Sequence, residues 1–284
     1  MDFIIKDTDM GKIEPKNWME LYFDRIGIKI QPDEVALSDL NQLMLSHIQT
    51  FPFEMLDYFL GTAPTINLDT IRRKFLVHFR GGGCSQQNAL FAGVLRCLGI
   101  TCRYGMARVP RADSLPSPRA HMVLFLEWQN QNLLCDVGYG IEGPLYPLKI
   151  EIGLVQKQGV HDFRIILVKE EFFALERSVR GGWKRLYLFD FRTYDLEDFE
   201  PANYFNSLSP NSIFTKSLIV SKPTLEGGIL IHNRNVISLI GEYRQKETVE
   251  SIDQLVNLLQ SHFSLQVAKS DFLRLPDVLK RISK

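Results

Sequence analysis

Residues 80–88 read Arg-Gly-Gly-Gly-Cys-Ser-Gln-Gln-Asn, a glycine turn that leads into a predicted helix. Glycines permit a sharp turn and the close approach of another molecule, and a helix N-terminus carries partial positive charge that favours a thiolate over a thiol. Cys84 is therefore a candidate nucleophile. Taken alone, the segment fits equally well a phosphate-type glycine loop, or a capping turn with a buried cysteine.

The helix that begins at Cys84 is one of several predicted in the first third of the chain. Apolar residues recur there every three or four positions, and turn residues separate the runs. The pattern predicts a helix capped by Ser38, a second over residues 68–78, and a third from Cys84 that Gly99 closes. The first third is therefore expected to be a small helical bundle.

Beyond Gly99 the pattern changes to short apolar and aromatic runs between polar turns, which is typical of an antiparallel sheet or barrel. The last third mixes such runs with one amphipathic helix. The prolines and serines of residues 110–118 predict a loop. The predicted strands cover residues 122–128, 133–137, 163–168, 172–175, 183–189, 214–220, 228–231 and 236–240, and the predicted helix covers residues 252–259.

A second candidate for chemistry lies in the predicted strands. His121 opens one strand, Asp136 closes the next, and the polar residues 129–132 separate the two. In a hairpin the two side chains would lie opposite each other or one diagonal step apart, within reach of a hydrogen bond. An ordinary edge-strand histidine is the alternative. Together, Cys84, His121 and Asp136 match a nucleophile, its base and the group that orients the base.

Composition excludes several classes of protein. The chain has 45% apolar and 23% charged residues, as expected of a folded globular protein. Its 33 Lys and Arg balance 33 Asp and Glu, so neither nucleic acid nor an anionic membrane is an expected partner. Four widely spaced cysteines predict neither a disulfide scaffold nor a zinc site. No run is long enough for a membrane span, and the acidic residues 1–16 do not resemble a signal peptide, so a cytoplasmic location is expected.

The sequence resembles the arylamine N-acetyltransferase family. That family's signature is Arg-Gly-Gly-x-Cys, then Glu or Gln, then Asn two positions further on, and residues 80–88 match it. His121 matches the histidine that precedes an apolar strand, and residues 136–140, Asp-Val-Gly-Tyr-Gly, match the family's Asp-x-Gly-aromatic-Gly. Residues 22–27 resemble the N-terminal helix of the family, residues 51–54 its Pro-Phe-Glu loop, and residues 207–217 its coenzyme A segment.

The resemblance implies an α+β fold: a helical bundle over residues 1–98, a β-barrel over residues 99–200 and an α/β lid over residues 201–284, around a cysteine-protease-like, transglutaminase-like core. It also implies transfer of an acetyl group from acetyl-CoA to the nitrogen of arylamines, arylhydrazines or arylhydroxylamines. The transfer would pass through an acetyl-cysteine, with coenzyme A released before the amine binds. No metal is implied.

By the same resemblance, Cys84 would be the nucleophile, His121 the base and later the proton donor, and Asp136 the group that orients His121. Phe53 and Tyr139 would line the acceptor pocket, and Thr215 and Ser217 would bind coenzyme A. Two positions depart from the family pattern. Gly83 stands where a bulky residue is usual, and Met55 replaces the usual Asn after the Phe-Glu pair, so the acceptor preference is open.

Two other functions fit parts of the sequence. The same Cys-His-Asp trio on a related core passes an acyl group to water or to a lysine in amide hydrolases and transglutaminases, without coenzyme A. A protein that keeps the fold for binding but has lost activity is the other alternative, supported by the changes at Gly83 and Met55. The three intact triad positions argue against this second alternative.

Overall fold

The helices of the first hundred residues surround one buried helix. The computed structural model describes residues 18–30, 35–62, 64–110, 117–241 and 243–273. Helix α5 is buried at every position from Ser85 to Leu95, and a helix that is buried all round lies at the centre of a core. The elements of this region are α1 (Trp18–Ile26), α2 (Leu37–Thr50), β1 (Phe53–Glu54), α3 (Leu56–Phe59), α4 (Leu68–Leu76) and α5 (Cys84–Cys97).

The predicted ends of these helices are only partly correct. Gly99 follows α5 with a φ of 74°, a left-handed conformation that glycine adopts readily, so the predicted stop is confirmed. Helix α2 begins before Ser38, which is therefore not its cap. The backbone N–H of Ala36 instead donates to the Asp39 carboxylate at 2.8 Å. The acidic residues 1–16 and most of the predicted loop at residues 110–118 lie outside the described residues.

Eight antiparallel strands form a sheet that curves into a nearly closed barrel. Their order is β5-β4-β3-β2-β9-β8-β7-β6, and an isolated bridge joins Ile152, after β5, to Ile165 in β7. The predicted barrel is thereby confirmed. The strands are β2 (Thr101–Arg108), β3 (His121–Trp128), β4 (Gln131–Cys135), β5 (Leu148–Lys149), β6 (Gln156–Gln158), β7 (His161–Lys169), β8 (Phe172–Val179) and β9 (Gly182–Phe189).

Strand β3 is buried on both of its faces, which explains its unbroken apolar run. Met122 and Leu124 pack in the same core as helix α5, and Val123 and Phe125 belong to the core inside the barrel. Side chains alternate along a strand, so one strand serves both cores. The position of His121 at the start of β3 is therefore fixed from two sides.

The C-terminal part contains a second antiparallel sheet with helices beside it. Strand β1, from the N-terminal part, is its edge, with Phe53 opposite Ser221. Its strands follow the order β1-β10-β11-β12-β13. The elements are α6 (Glu200–Leu208), β10 (Ile219–Thr224), β11 (Gly227–His232), β12 (Asn235–Ile240), β13 (Tyr243–Thr248), α7 (Ile252–Phe263) and α8 (Lys269–Leu273), preceded by a 3-10 turn over Leu196–Phe199.

The strand predicted at residues 214–220 is wrong for its first five residues. Residues 209–217 form consecutive turns, in which the N–H groups of Lys216 and Ser217 both donate to the Ile213 carbonyl. The Ser212 hydroxyl accepts from the N–H of Phe214 at 3.2 Å. Serine and threonine side chains that bond to nearby backbone compete with a strand ladder. The strand therefore begins only at Ile219.

The α+β class, with helices followed by a barrel and a mixed C-terminal part, is confirmed. The boundaries of the three predicted domains stay predictions, and β1 and α3 contribute to the C-terminal part, since Leu56 and Phe59 share a core with Val220 and Leu259. Within the described ranges, the helices are too short or too polar to cross a lipid bilayer.

Candidate active site

Cys84 lies at the N-terminus of α5, where its thiol faces a cavity. The preceding residue, Gly83, is the N-cap, and the Cys84 side chain is half-buried. Its Sγ lies 3.6 Å from the carbonyl oxygen of Ala120, the residue just before His121. The first turn of α5 carries no acidic residue, so the positive end of the helix dipole acts on the sulfur without opposition from its own turn.

The hairpin of β3 and β4 brings His121 and Asp136 together. Gln129 and Asn130, both with positive φ, form its two-residue turn. The register pairs Leu124 with Cys135, which sets His121 one diagonal step from Asp136, within the range that the sequence predicts. The His121 Nε2 and the Asp136 Oδ2 are 2.6 Å apart. Both residues are buried, with exposed fractions of 6% and 1%.

Asp136 is held from its other side by helix α5 and by its own loop. The Asn88 Nδ2 donates to Asp136 Oδ1 at 3.1 Å and to the carbonyl of Met122 at 2.9 Å. The N–H of Gly138 donates to the same Oδ1 at 2.9 Å, and Asn88 Oδ1 accepts from the N–H of Val137 at 3.1 Å. Oδ1 is thereby satisfied, so Oδ2 is left for the histidine.

These contacts determine the direction in which the pKa of His121 is shifted. Burial alone would lower the pKa of His121, but the Asp136 carboxylate, and then a hydrogen bond with Cys84, outweigh burial and raise the pKa to about 10. Since Nε2 is committed to Asp136, Nδ1 is the nitrogen available to the thiol. The His121 ring is therefore protonated at neutral pH and places a positive charge beside Cys84.

The glycines before Cys84 allow two loops to approach closely. A β-carbon on Gly81 would lie 2.0 Å from the carbonyl oxygen of Pro52, a distance that no side chain tolerates. The N–H of Gly82 donates to the same oxygen at 3.3 Å, and the N–H of Glu54 donates to the Gly82 carbonyl at 3.2 Å. The glycine loop and the loop of residues 51–54 therefore form one unit.

A partly buried ion-pair cluster around the buried Glu54 fixes that unit in place. Arg80 donates twice to Glu54 Oε1, at 3.0 Å and 2.8 Å, and once to Asp57 at 2.9 Å. Lys74 reaches Asp57 at 2.7 Å and Glu54 at 3.3 Å, so two cations face two anions. Burial alone would lower the pKa of Arg80, but Glu54 and Asp57 raise it above its usual range. Arg80 is thus permanently charged.

A second buried connection joins α5 to the neighbouring helices. The Gln87 Nε2 donates to the carbonyls of Phe51 and Pro52 at 3.0 Å and 2.9 Å, so its Oε1 accepts from His47 Nε2 at 2.8 Å. His47 Nδ1 then accepts from the Tyr22 hydroxyl at 2.9 Å. Burial lowers the pKa of His47 to about 3, although the hydrogen bond to Gln87 acts to raise it. The ring is therefore neutral.

The cavity in front of Cys84 has a volume of about 700 Å³. Phe53, Tyr139 and Phe214 line it, and the Phe53 and Phe214 ring centroids are 6.3 Å apart. The Tyr139 ring meets His121 edge-on at 5.4 Å. Pockets of this size with aromatic walls and a few polar groups bind small organic molecules. The acceptor role of Phe53 and Tyr139 stays a prediction.

The two residues expected to bind coenzyme A are not among the described residues that line the cavity. Their neighbours Phe214 and Lys216 do line the cavity. The Thr215 hydroxyl points to local backbone, with the carbonyl oxygens of Ser209 and Ser212 at 3.3 Å and 3.1 Å. Ser217 is 9% exposed. Both lie in the run of turns at residues 209–217, one residue away from the cavity wall.

The sequence motifs include Asn88, Glu54 and Met55 but do not reveal their contacts in the site. Asn88 lies four positions after Cys84 and therefore on the same face of α5. Glu54 and Met55 reach the site through contacts between distant segments, which a single sequence does not reveal. Of the other cysteines, Cys97 is exposed, and Cys102 and Cys135 are buried. Within the described ranges, no three His, Cys, Asp or Glu side chains are grouped as a metal site would need.

Replacing Gly138 with Ala is expected to disturb the site. A β-carbon there would lie 2.5 Å from the Cys84 Cα and 2.7 Å from the Asn88 Nδ2. The loop after Asp136 must then retreat, and a displacement of about 1 Å in a catalytic group costs about a hundredfold in rate. We expect that loss in kcat/KM, with about 1–3 kcal/mol of stability lost to overpacking.

The matched control for Gly138→Ala is Gly93→Ala, at a glycine within α5 itself. Its β-carbon would lie 3.7 Å from Trp18, an ordinary contact. Steady-state kinetics and thermal unfolding of both variants check the expectation. Wild-type activity and stability in Gly138→Ala would show that the close approach of this loop to Cys84 does not matter.

Comparison with known proteins agrees with this geometry. The family model described as N-acetyltransferase matches residues 36–272. The arylamine N-acetyltransferase of Escherichia coli (strain K12) is 27% identical over 242 residues, which cover 82% of this chain and 84% of that protein. The structure of the M. tuberculosis arylamine N-acetyltransferase matches with a TM-score of 0.85 and 28% identity, over 94% of this chain and all of that one (100%).

A further solved structure is that of the Mycobacterium marinum arylamine N-acetyltransferase in complex with CoA. It matches with a TM-score of 0.84 and 25% identity, and covers 93% of this chain and 98% of that chain. The matched family model spans most of the chain and includes the segments that carry Cys84, His121 and Asp136. The protein therefore belongs to the family of arylamine N-acetyltransferases, enzymes that transfer acetyl groups.

Proposed function

We propose that this protein transfers the acetyl group of acetyl-CoA to the nitrogen of aromatic amines, hydrazines or hydroxylamines by a ping-pong mechanism through acetyl-Cys84. The observation that carries the proposal is the hydrogen bond of 2.6 Å between His121 and Asp136, beside a cysteine that opens onto a cavity. A base that keeps its proton near neutral pH suits a thiolate nucleophile, which needs no further activation. The expected cytoplasmic location stays a prediction.

In the first half-reaction, the Cys84 thiolate attacks the thioester carbonyl carbon of acetyl-CoA. A bond forms between that carbon and Sγ, and the bond to the coenzyme sulfur breaks. The coenzyme A thiolate leaves and takes a proton from the His121 imidazolium. Coenzyme A is then free to depart before the amine enters.

In the second half-reaction, the amine nitrogen attacks the acetyl carbon on Cys84. Neutral His121 accepts the proton that the nitrogen loses, and Cys84 leaves again as a thiolate beside the imidazolium. The aromatic side chains of Phe53, Tyr139 and Phe214 support an aromatic acceptor, since rings pack well against rings. Thr215 and Ser217 remain proposed contacts for coenzyme A, within the segment that supplies Phe214 and Lys216 to the cavity.

Steady-state kinetics with acetyl-CoA and a panel of arylamines and arylhydrazines test the proposal. We expect continued turnover of acetyl-CoA only when the amine is present, and parallel lines in double-reciprocal plots. Intersecting lines would favour direct transfer within a ternary complex. Turnover of glutamine peptides without coenzyme A would favour the transglutaminase-like alternative.

A further inference from the structure

Met55 and Gly83 meet in the wall of the cavity beside Cys84. A β-carbon on Gly83 would lie 2.8 Å from the Met55 Sδ and 3.3 Å from its Cε. The first of these separations is shorter than van der Waals contact allows. The thioether of Met55 therefore occupies the space that a side chain at position 83 would fill.

The backbone does not require glycine at position 83. Gly83 has φ −76° and ψ 178°, an extended conformation that any residue adopts. Gly81 differs, since a β-carbon there would strike the Pro52 carbonyl. Gly83 is thus explained by its contact with Met55, and the two positions that depart from the family pattern touch each other.

The Met55 side chain is enclosed by protein except where it borders the cavity. The residue is 2% exposed and its backbone is fixed, because its N–H donates to the Ile219 carbonyl at 3.1 Å. Its side chain lies between Gly83 and the cavity, which Cys84 and Tyr58 also line. Methionine is unbranched, with a soft and adaptable thioether. Any group added at position 83 would push that thioether into the cavity.

We propose that Met55, seated on Gly83, limits the length of the acyl group that Cys84 accepts from its donor. The inference rests on the proposed function and deepens it. On acylation a bond forms between Sγ and the carbonyl carbon, the bond to the leaving group breaks, and the chain of the acyl group remains in the cavity. Residue 83 directly precedes Cys84. The Met55 thioether therefore lies in the part of the cavity wall that the hydrocarbon chain of the acyl group contacts.

Single-turnover acylation without any amine measures how the acyl group affects the rate, separately from any effect of the acceptor. The probes are p-nitrophenyl acetate and p-nitrophenyl butyrate, which release p-nitrophenolate as Cys84 is acylated. One methylene in an apolar pocket changes a rate about 10- to 200-fold. We expect Met55→Ala to raise the butyrate-to-acetate rate ratio at least about tenfold, and Gly83→Ala to lower it several-fold because the new methyl displaces Met55.

The double variant Met55→Ala, Gly83→Ala tests whether the two residues act through their contact. Without the thioether, the methyl at position 83 has space, so Gly83→Ala is expected to change the ratio less than about twofold there. The matched control is Gly93→Ala, which adds the same methyl in α5 at 3.7 Å from Trp18 and away from the residues that line the cavity. Its ratio is expected to equal that of the wild type.

An unchanged ratio in Met55→Ala, or an equal effect of Gly83→Ala in both backgrounds, would overturn the inference and leave the proposed function intact. A wild-type protein that neither ester acylates would overturn both. If Met55→Ala does not fold, Gly83→Ala alone provides the test, because the extended backbone at position 83 accommodates alanine. An unchanged butyrate-to-acetate rate ratio in Gly83→Ala would then contradict the role of Met55.

Discussion

Cys84→Ser is expected to lower acetyl transfer at least about ten-thousandfold while the fold stays intact. Removal of the nucleophile from a catalytic triad costs about a millionfold in the best-measured cases. A serine hydroxyl is nearly the same size but far less acidic than a thiol, whose unperturbed pKa is about 8.5. The His121 imidazolium can stabilise a thiolate here, but the hydroxyl would not ionise at neutral pH.

The control for Cys84→Ser is Cys97→Ser, at the exposed cysteine near the other end of α5. Both variants should give the wild-type circular dichroism spectrum, and only Cys84→Ser should lose coenzyme A release. Activity of Cys84→Ser within tenfold of the wild type would reject Cys84 as the nucleophile.

Asp136→Asn is expected to slow transfer by about ten-thousandfold, the loss that the same change causes in a serine protease triad. The amide oxygen of the new side chain would still accept from Asn88 and Gly138, which leaves the amide nitrogen facing His121 Nε2. Two donors cannot face each other, so Nε2 must lose its proton and Nδ1 must carry one. The nitrogen near Cys84 then cannot accept the thiol proton.

The pH dependence of Cys84 alkylation provides an independent measurement of the same change. Asp136 raises the pKa of His121 to about 10 against the effect of burial. Without that charge burial prevails, the pKa falls, and the imidazolium is lost at neutral pH. Iodoacetamide should therefore react with Cys84 of Asp136→Asn only at higher pH than with the wild type.

Asp190→Asn is the matched control for Asp136→Asn. Asp190 is a buried carboxylate, 3% exposed, that pairs at 2.7 Å with Arg119, two residues before His121. In the Asp190→Asn variant, the pH profile of Cys84 alkylation should keep the wild-type midpoint. If Asp136→Asn also shares that midpoint and acetylates arylamines at nearly the wild-type rate, Asp136 is an ordinary carboxylate at the end of a strand.

The elements that the sequence predicts well have their signals close together in the chain. Helix α5 has a glycine turn before it and Gly99 after it, and the hairpin of β3 and β4 has apolar runs around a short polar turn. The approach of His121 to Asp136 follows from that hairpin alone, since the two residues are only fifteen positions apart in the chain. That Cys84 lies near His121 could be predicted only from the family resemblance, because it depends on packing between α5 and β3.

The strands that the sequence misses have weak local signals. Strand β2 alternates Cys102, Tyr104 and Met106 with polar or small residues, but it contains Gly105, where a β-carbon would lie 2.3 Å from the Phe125 ring. Every described residue of β13 is exposed, and the strand is recognised only by its pairing with β12. The contact of Met55 with Gly83 joins distant segments and has no local signal.

Intact-protein mass spectrometry after brief mixing with acetyl-CoA, in the absence of any amine, detects the acetyl-Cys84 intermediate itself. We expect a gain of the mass of one acetyl group, located on the peptide that contains Cys84, and its loss when an arylamine is added. The Cys84→Ser protein should stay unmodified. A wild-type protein that gains no acetyl group, yet releases coenzyme A once an amine is present, would contradict the acetyl-Cys84 intermediate.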